Sequence, residues 1–257
     1  MHRDLVDTIR AELARHADPA RAAGQQRYMK STIPYRGLTS PQLTAVLRPI
    51  LADPGFRIAD RDGWEATIRT LWDEVAYREE WYAAIALARH RTYRPWVDSE
   101  SMPLWRHLVV TGAWWDVVDD VAIHLVGLLL LEDPKSVAPV LREWATDDDR
   151  WLRRTAVIAQ VGAKERTDLD LLSHAIEANL DDRDFFLRKA IGWALRQHAW
   201  TDPDWVRAFV SAHDDRVSTL SRREAGSARR RVAEPGTGSR ASSCAARESW
   251  PPRAPRC

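Results

Sequence analysis

The chain has 257 residues, 45% of them hydrophobic and 29% charged, with 38 Lys and Arg against 37 Asp and Glu. This composition is typical of a globular protein long enough to bury a sizeable core, and it excludes wholesale disorder. A net charge of +1 also excludes a globally basic nucleic-acid-binding protein, so any such surface must be a local patch.

The charge is unevenly distributed along the chain. Residues 226–257 hold seven Arg and two Glu, a net charge of +5, so residues 1–225 carry −4. We predict a folded domain over residues 1–225 and a disordered Arg/Pro/Ser-rich tail over 226–257, which either adds nonspecific phosphate affinity or is a shifted end without function. Both cysteines, Cys244 and Cys257, lie in the tail. The domain therefore contains no disulfide, zinc–thiolate site or cysteine nucleophile.

The N-terminal segment, residues 1–24, has the pattern of a charged amphipathic helix rather than a secretory signal. The longest apolar stretch, Val121–Leu131, is interrupted by His124 and is too short to span a bilayer. We therefore expect a cytoplasmic protein without a membrane segment.

Apolar residues recur at helical spacing through the whole domain, with almost no β-type alternation. Leu5, Ile9 and Leu13 form the first stripe, and Ser40 with Pro41 predicts the start of a later helix. Further helices are predicted at about 63–75, 79–90, 102–111, 115–131, 136–145, 149–161, 168–179, 184–200 and 203–213. The predicted fold class is all-α.

An internal repeat unites these helices. A shift of 35 residues aligns Trp81, Asp116, Trp151 and Phe186, and also aligns Ala84, Asp119, Arg154 and Lys189. A period of this size is typical of an α-solenoid, in which each helix pair buries its apolar face against its neighbours. We therefore expect Asp119, Arg154 and Lys189 to line one continuous surface.

Most enzyme signatures are absent from the sequence. It has no Gly-rich phosphate loop, no His-Glu-x-x-His, no nucleophile elbow and no metal-type cluster among its eight His, so we predict neither a cofactor nor a metal. Trp115 and Asp119 share one predicted helix face. Lys189, Trp193 and Arg196 share another. Alternatively, the tryptophans pack in the core and Asp119 is an ordinary solvated carboxylate.

Four segments carry a distinctive aromatic and basic pattern. They are Tyr28-Met29-Lys30-x-x-x-Pro34, Trp114-Trp115-Asp116-x-x-Asp119, Trp151-Leu152-Arg153-Arg154 and Phe185-Phe186-x-Arg188-Lys189-Ala190-Ile191-Gly192-Trp193-Ala194-Leu195-Arg196. From about residue 20 to 225 the chain resembles the AlkD-type DNA alkylation repair glycosylases. The resemblance implies a superhelix of HEAT-like helical repeats. The chain departs from the family pattern at Thr111-Gly112-Ala113, where we expect a polar or basic residue.

The resemblance also implies an activity. The family removes alkylated purines, such as 3-methyladenine and 7-methylguanine, from duplex DNA by hydrolysing the N-glycosidic bond. By this resemblance Asp119 is the catalytic carboxylate, and Trp115 and Trp193 are flanking aromatic contacts. The family's cleft arginine falls at Arg154 or at the adjacent Arg153. The predicted DNA-binding residues are Tyr28, Lys30, Arg153, Arg154, Arg188, Lys189 and Arg196, with Arg106 as a possible extension.

The chemistry of the substrate agrees with a carboxylate. Alkylation at N3 or N7 makes the purine a cation that leaves without a strong general acid, and the sugar becomes positively charged. A carboxylate at about 4 Å stabilises that charge by roughly 4 kcal/mol at an effective dielectric of about 20. A tryptophan face adds about 0.5–2 kcal/mol. No lysine nucleophile is implied, so we predict a monofunctional hydrolase. The resemblance further implies that the lesion is held against the concave surface without a base-flipping pocket.

Two other functions stay open. One is a noncatalytic repeat-fold DNA-binding protein, and the other is a protein-interaction scaffold. Asp119 together with Trp115 and Trp193 favours the enzyme, whereas the −4 charge of residues 1–225 favours the scaffold. For the enzyme, the expected partner is double-stranded DNA containing alkylated purines. We expect a monomer without a nucleotide cofactor, in the cytoplasm and on the nucleoid when bound to DNA.

Overall fold

A computed structural model of the protein describes residues 1–226, so the predicted disordered tail lies, apart from Gly226, outside the described residues. Within this range the chain forms fourteen α-helices and no β-strand. They are α1 (Arg3–Arg15), α2 (Pro19–Met29), α3 (Ser40–Ala52), α4 (Arg61–Asp73), α5 (Glu79–Ala88), α6 (Met102–Gly112), α7 (Trp115–Val121), α8 (Gly127–Glu132), α9 (Pro134–Trp144), α10 (Arg150–Ile158), α11 (Leu169–Glu177), α12 (Phe185–His198), α13 (Pro203–Ala212) and α14 (Thr219–Gly226). The all-α prediction is confirmed.

Aspartates begin many of these helices. Those that accept a backbone N–H bond in the first turn are Asp18, Asp60, Asp133, Asp149, Asp168, Asp184 and Asp202. A carboxylate there satisfies an N–H without a helical partner and lies at the positive end of the helix dipole.

The start of α3 differs by one residue from the prediction. Its N-cap is Thr39 rather than Ser40, because Thr39 and Gln42 form a reciprocal capping box.

The N-terminal segment forms two helices rather than the single predicted one. Asp18 caps α2 and Pro19 is its first residue, a position where proline loses no helical N–H bond. The stripe of Leu5, Ile9 and Leu13 on α1 is buried as predicted.

The predicted helix over 115–131 contains a wide turn. α7 ends at Val121, and a π-helical turn, Ala122–Val126, connects it to α8. A Cβ on Gly127 would lie 2.1 Å from the carbonyl oxygen of Ala159, so only glycine allows α8 to approach the end of α10 this closely. The turn therefore separates the half-helix that carries Asp119 from the half-helix whose first residue, Gly127, lies against Ala159 at the end of α10.

The helices recur at the predicted period. α7, α10 and α12 begin at residues 115, 150 and 185, and α9 and α11 begin at residues 134 and 169, so both series advance by 35 residues. α5, α7, α10, α12 and α14 pack against one another in that order, and α9 packs against α11. Stacked helix pairs of this kind define a helical-repeat solenoid, which confirms the predicted architecture.

The core uses much of the tryptophan in the sequence. Six of these side chains are buried, namely Trp64, Trp72, Trp81, Trp105, Trp144 and Trp151. Trp72 and Trp81 stack with ring centroids 4.7 Å apart. Because a large aromatic ring removes about 150–250 Å² from water, each contributes roughly 4–6 kcal/mol of hydrophobic stabilisation.

Candidate active site

The candidate site is built on the first two turns of α7 and α10 and on the first three turns of α12. α10 and α12 are fixed at their starts by Asp149 and Asp184, each of which accepts two backbone N–H bonds. α7 starts at the equivalent position of the repeat, but its N-cap, Trp114, makes no side-chain cap bond. The start of α7 must therefore be held by contacts from other helices.

Asp119 and Arg154 form a bidentate ion pair between α7 and α10. Arg154 Nε donates to Asp119 Oδ1 at 2.7 Å, and Nη2 donates to Oδ2 at 2.6 Å. Nη1 of the same guanidinium donates to the carbonyl oxygen of Phe186 at 2.6 Å, which also ties down the first turn of α12. Arg154 is 5% exposed. The Asp119 side chain is 15% exposed and so can be reached from the surface.

The charge of Asp119 depends on this pairing. Burial raises the pKa of the Asp119 carboxyl, because the ionised form loses hydration, and the charge and hydrogen bonds of Arg154 oppose that rise. Asp116 and Asp120 add to the rise as like charges. A carboxylate oxygen has two lone pairs, and Arg154 occupies one on each oxygen. The remaining lone pairs can accept a bond from water or face a developing positive charge.

The two predicted aromatic contacts are half-buried. Trp115 is the first residue of α7, and Trp193 lies on α12, which packs against α10. Both rings pack against the core and keep part of their surface exposed. Next to Trp115, three further rings pack with centroids 5.0–6.2 Å apart: Trp114, Trp151 and Phe186.

The structure separates the two candidate cleft arginines. Arg154 contacts Asp119, whereas Arg153 binds the loops that precede α10 and α12. Arg153 Nη1 donates to the carbonyl oxygen of Asp147 at 2.7 Å, and Nη2 donates to Asp182 at 3.0 Å. Arg153 thus links neighbouring repeats, and Arg154 is the arginine that contacts the candidate carboxylate.

The predicted DNA-binding bases of α10 and α12 form a basic row: Arg153, Arg154, Arg188, Lys189 and Arg196. The three on α12 are also hydrogen-bonded within the protein. Lys189 Nζ and Arg196 Nη1 donate to the two carboxylate oxygens of Glu224, at 2.7 and 2.8 Å. Arg188 Nε lies 3.4 Å from the carbonyl oxygen of Asp184. One further 35-residue step from Lys189 reaches Glu224, so the periodicity contained a signal for this partner that our sequence analysis missed.

Tyr28 and Lys30 belong to the C-terminal end of α2. Tyr28 is 52% exposed. Lys30 is exposed and caps the helix in a left-handed conformation, with φ of 51°. Within residues 1–226 neither side chain forms a hydrogen bond or ion pair with α7, α10 or α12. Arg106 pairs with Asp147 at 3.5 Å.

A second buried ion pair, between Arg78 and Asp116, was not predicted from the sequence. Arg78 Nη2 donates to Asp116 Oδ1 at 2.6 Å, and the Tyr82 hydroxyl donates to Asp116 Oδ2 at 2.6 Å. The Tyr35 hydroxyl lies 3.2 Å from that of Tyr82, and burial raises the pKa of Tyr35 to about 12. Arg78 and Asp116 are 38 residues apart rather than 35, so the repeat alignment does not pair them.

The described part of the chain shows neither a metal site nor a membrane-spanning helix. No group of His, Cys, Asp and Glu in residues 1–226 is arranged as a metal site. In the same residues, no helix combines the length and apolarity that a membrane crossing requires.

Comparison with known proteins assigns the chain to a family. The family model described as DNA alkylation repair enzyme matches residues 9–228. The chain belongs to the DNA alkylation repair enzyme family. A solved structure similar to this family member is a predicted DNA alkylation repair enzyme from Enterococcus faecalis, with 27% identity, a TM-score of 0.71, and coverage of 82% of this chain and 95% of that one. No curated relative matches the chain.

The matched region contains the whole candidate site. Asp119, Arg154, Trp115 and Trp193 lie within residues 9–228, as does the Asp116 network. The resemblance found in the sequence is therefore confirmed at the level of the family.

Proposed function

We propose that this DNA alkylation repair family member is a monofunctional glycosylase that hydrolyses the N-glycosidic bond of cationic alkylated purines in duplex DNA. The observation that carries the proposal is the partly exposed Asp119 carboxylate, which Arg154 holds in one orientation four residues from Trp115. A charge that is already oriented stabilises a cationic transition state without the cost of reorganising.

The reaction needs little proton transfer. The C1′–N bond breaks and its electron pair goes to the purine, which leaves as a neutral alkylated base, while the positive charge moves to the sugar. Water then adds at C1′ and releases a proton, which leaves an abasic site. This sequence fits a carboxylate bound by an arginine better than one that must donate a proton.

Asp119 supplies the largest stabilising effect in this proposal. At about 4 Å and an effective dielectric of about 20, a carboxylate and a sugar cation attract by roughly 4 kcal/mol. Because Arg154 offsets part of the negative charge, that figure is an upper value. The exposed parts of Trp115 and Trp193 would contact the cationic nucleotide and add about 0.5–2 kcal/mol each.

We propose that DNA phosphates are bound by the predicted basic residues around this site. Lys189 and Arg196 would have to exchange Glu224 for phosphate oxygens, since that carboxylate now accepts a bond from each. Tyr28 and Lys30 are exposed at the end of α2 and can meet DNA without such an exchange.

Base release from alkylated duplex DNA tests the proposal. Asp119→Asn removes the charge with little change of shape, and we expect the single-turnover release of 3-methyladenine and 7-methylguanine to fall by about a hundredfold or more. Asp120→Asn is the matched control, because Asp120 is the adjacent carboxylate and pairs with Arg89. It should keep the wild-type rate. Equal rates for wild type and Asp119→Asn would remove Asp119 from the mechanism.

The pairing of the basic row supports a second candidate function, that of a noncatalytic DNA-binding protein or interaction scaffold. Arg154, Lys189 and Arg196 all have acidic partners, so these residues of the basic row do not present unpaired positive charges to DNA. If the wild-type protein releases no base but binds duplex DNA with a salt-dependent Kd, the DNA-binding alternative is correct. If it does neither, the scaffold is favoured.

A further inference from the structure

A second bound carboxylate lies beside Asp119 on the same helix. Asp116 belongs to the first turn of α7, and its side chain is 11% exposed. Its two oxygens accept bonds from Arg78 and from the Tyr82 hydroxyl, at 2.6 Å in each case. Both partners belong to α5 or to its N-cap, so one face of α7 is anchored to α5 through a single side chain.

These bonds continue into the loop between α2 and α3. The backbone N–H of Arg78 donates to the carbonyl oxygen of Pro34 at 2.9 Å. The next residue, Glu79, is 1% exposed, and its carboxylate accepts the backbone N–H groups of residues 36–38 at 2.9–3.3 Å. The start of α5 therefore fastens residues 34–38 and the first turn of α7 to one another.

α7 depends on this anchor more than its repeat equivalents do. α10 and α12 have capping aspartates, whereas the N-cap of α7, Trp114, offers no side-chain acceptor. The preceding residue, Ala113, has φ of 41°, a left-handed conformation that costs about 1 kcal/mol or more for a residue with a Cβ. A first turn without a cap and next to a strained residue frays unless tertiary contacts hold it.

We propose that Asp116 is a positioning residue of the site: bound to Arg78 and Tyr82, it fixes the first turn of α7 and thereby the placement of Trp115 and Asp119. The assignment rests on the proposed glycosylase function. Asp116 does not touch substrate in this scheme. Arg154 holds Asp119 from α10, and the Asp116 anchor holds the same helix from α5.

Asp116 also acts on Asp119 through its charge. Burial is the main cause that raises the pKa of Asp119, Asp116 and Asp120 of the same helix add to the rise, and Arg154 of α10 opposes it. Arg78 of α5 is bound to Asp116. Removing the charge of Asp116 therefore lowers the pKa of Asp119, so activity that needs the ionised form persists to lower pH.

The test compares three variants in single-turnover base release at saturating enzyme, over a range of pH. For Asp116→Asn we expect a loss of about tenfold or more, because misplacement by about 1 Å costs up to a hundredfold. The Kd for the same duplex should change less than twofold, and the acid limb of the pH profile should move to lower pH. Tyr82→Phe removes one bond but no charge, so the rate should fall less and the acid limb should stay in place.

Glu80→Gln is the matched control. Glu80 is a fully buried carboxylate of α5 that binds Arg10 at 2.8 Å, between α1 and α5. This variant should lose stability in urea unfolding but keep the wild-type rate and pH profile.

The outcomes separate the two proposals. A wild-type rate and pH profile in Asp116→Asn overturn the positioning role, as does an equal rate loss in Glu80→Gln with no movement of the acid limb in either. If Asp116→Asn does not fold, a wild-type rate in Tyr82→Phe overturns it. If the wild-type protein releases no base, the glycosylase proposal fails and this assignment fails with it. If Asp119→Asn is inactive while Asp116→Asn and Tyr82→Phe keep the wild-type rate and pH profile, the glycosylase proposal stands and only the positioning role of Asp116 fails.

Discussion

Arg154 serves two neighbouring helices from a buried position on a third. Two of its N–H groups bind Asp119 and another binds the carbonyl oxygen of Phe186. Lysine could not replace it, because an ammonium lacks the planar fork that meets both carboxylate oxygens at once. The same residue therefore sets the orientation of the carboxylate and the position of the first turn of α12.

Removing the guanidinium should change the pH dependence of the reaction. Arg154 opposes the rise that burial causes in the pKa of Asp119, so Arg154→Gln should raise that pKa further. Activity that needs the ionised carboxylate would then be lost at a higher pH as the solution is acidified. The measurement is the single-turnover release of 7-methylguanine between about pH 4.5 and 8.5.

Two further variants serve as comparisons for the pH profile of Arg154→Gln. Arg89→Gln unpairs Asp120 rather than Asp119, and because an unpaired Asp120 adds to the rise in the pKa of Asp119, it should move the acid limb in the same direction but by less. Arg154→Lys retains the positive charge and should return the limb part of the way toward the wild-type pH. An unmoved limb in Arg154→Gln would show that this pair does not govern the ionisation that matters. Because a buried carboxylate that loses its partner costs about 3–5 kcal/mol, urea unfolding must accompany the assay.

The sequence predicted that Asp119 and Arg154 are neighbours, but it did not predict the contacts that surround them. The 35-residue spacing placed Asp119 and Arg154 at equivalent positions, and equivalent positions on adjacent stacked helices are neighbours. The resemblance to the family left the adjacent Arg153 open as well, because both residues are arginines and the choice depends on which one faces α7. The repeat alignment could not predict the contact of Arg78 with Asp116, because these residues are 38 rather than 35 positions apart.

At the scale of elements, α14 packs against α12 through a glycine. A Cβ on Gly192 would lie 2.6 Å from Glu224 Cβ and 2.9 Å from the carbonyl oxygen of Ser221. The Ser221 hydroxyl donates to the carbonyl oxygen of Arg188 at 2.9 Å, which fixes the two helices in register. This close approach is what brings Glu224 within reach of Lys189.

Gly192→Ala should therefore disturb the packing of these helices. Overpacking of this kind costs about 1–3 kcal/mol, and urea unfolding would measure it. Gly24→Ala on α2 is the matched control, because nothing lies within 4 Å of its added Cβ. That control should be neutral or stabilise by up to about 1 kcal/mol through helix propensity. Equal stability of the two variants would contradict the close approach of the helices.

Helical periodicity predicted which segments are helices but not where two of them break. The break in residues 1–24 has a local signal, because Asp18 followed by Pro19 is typical of a helix start. Our prediction relied on the apolar stripe instead and therefore extended one helix across it. The π-turn at Ala122–Val126 left no such signal. It lies in the nearly continuous apolar run Val121–Leu131, where one extra residue disturbs no alternation of apolar and polar positions.

At the scale of the whole molecule, ion pairs join the repeats. Pairs that bridge one repeat and the next are Asp119–Arg154, Arg150–Asp184, Arg153–Asp182, Asp181–Arg216 and Lys189–Glu224. Most of the basic residues near the site are thus already paired, and residues 1–225 carry a net charge of −4. Under the proposed function, affinity for DNA would come from local exchange of partners, from the exposed Tyr28 and Lys30, and from whatever phosphates the basic C-terminal segment binds.

Removal of residues 227–257, which contain seven Arg, should separate these two contributions. We expect weaker binding to undamaged duplex DNA and a smaller slope of log Kd against log salt, by about 0.9 for each phosphate that the segment neutralises in the full-length protein. The single-turnover rate at saturating enzyme should not change, because every residue of the candidate site precedes residue 227. The same slope in both proteins would mean that the segment binds no phosphates and would favour an end without function.

The wide turn between α7 and α8 absorbs one residue of chain length. A π-turn contains one residue more than an α-turn, so the five residues of Ala122–Val126 turn the chain about as far as four residues of an α-helix do. Loss of one residue here should therefore close the turn to a continuous α-helix in which Asp119 still faces Arg154 and Gly127 still lies against Ala159. Loss of a second residue has no such reserve, and because each residue rotates an α-helix by about 100°, it would turn Asp119 away from Arg154.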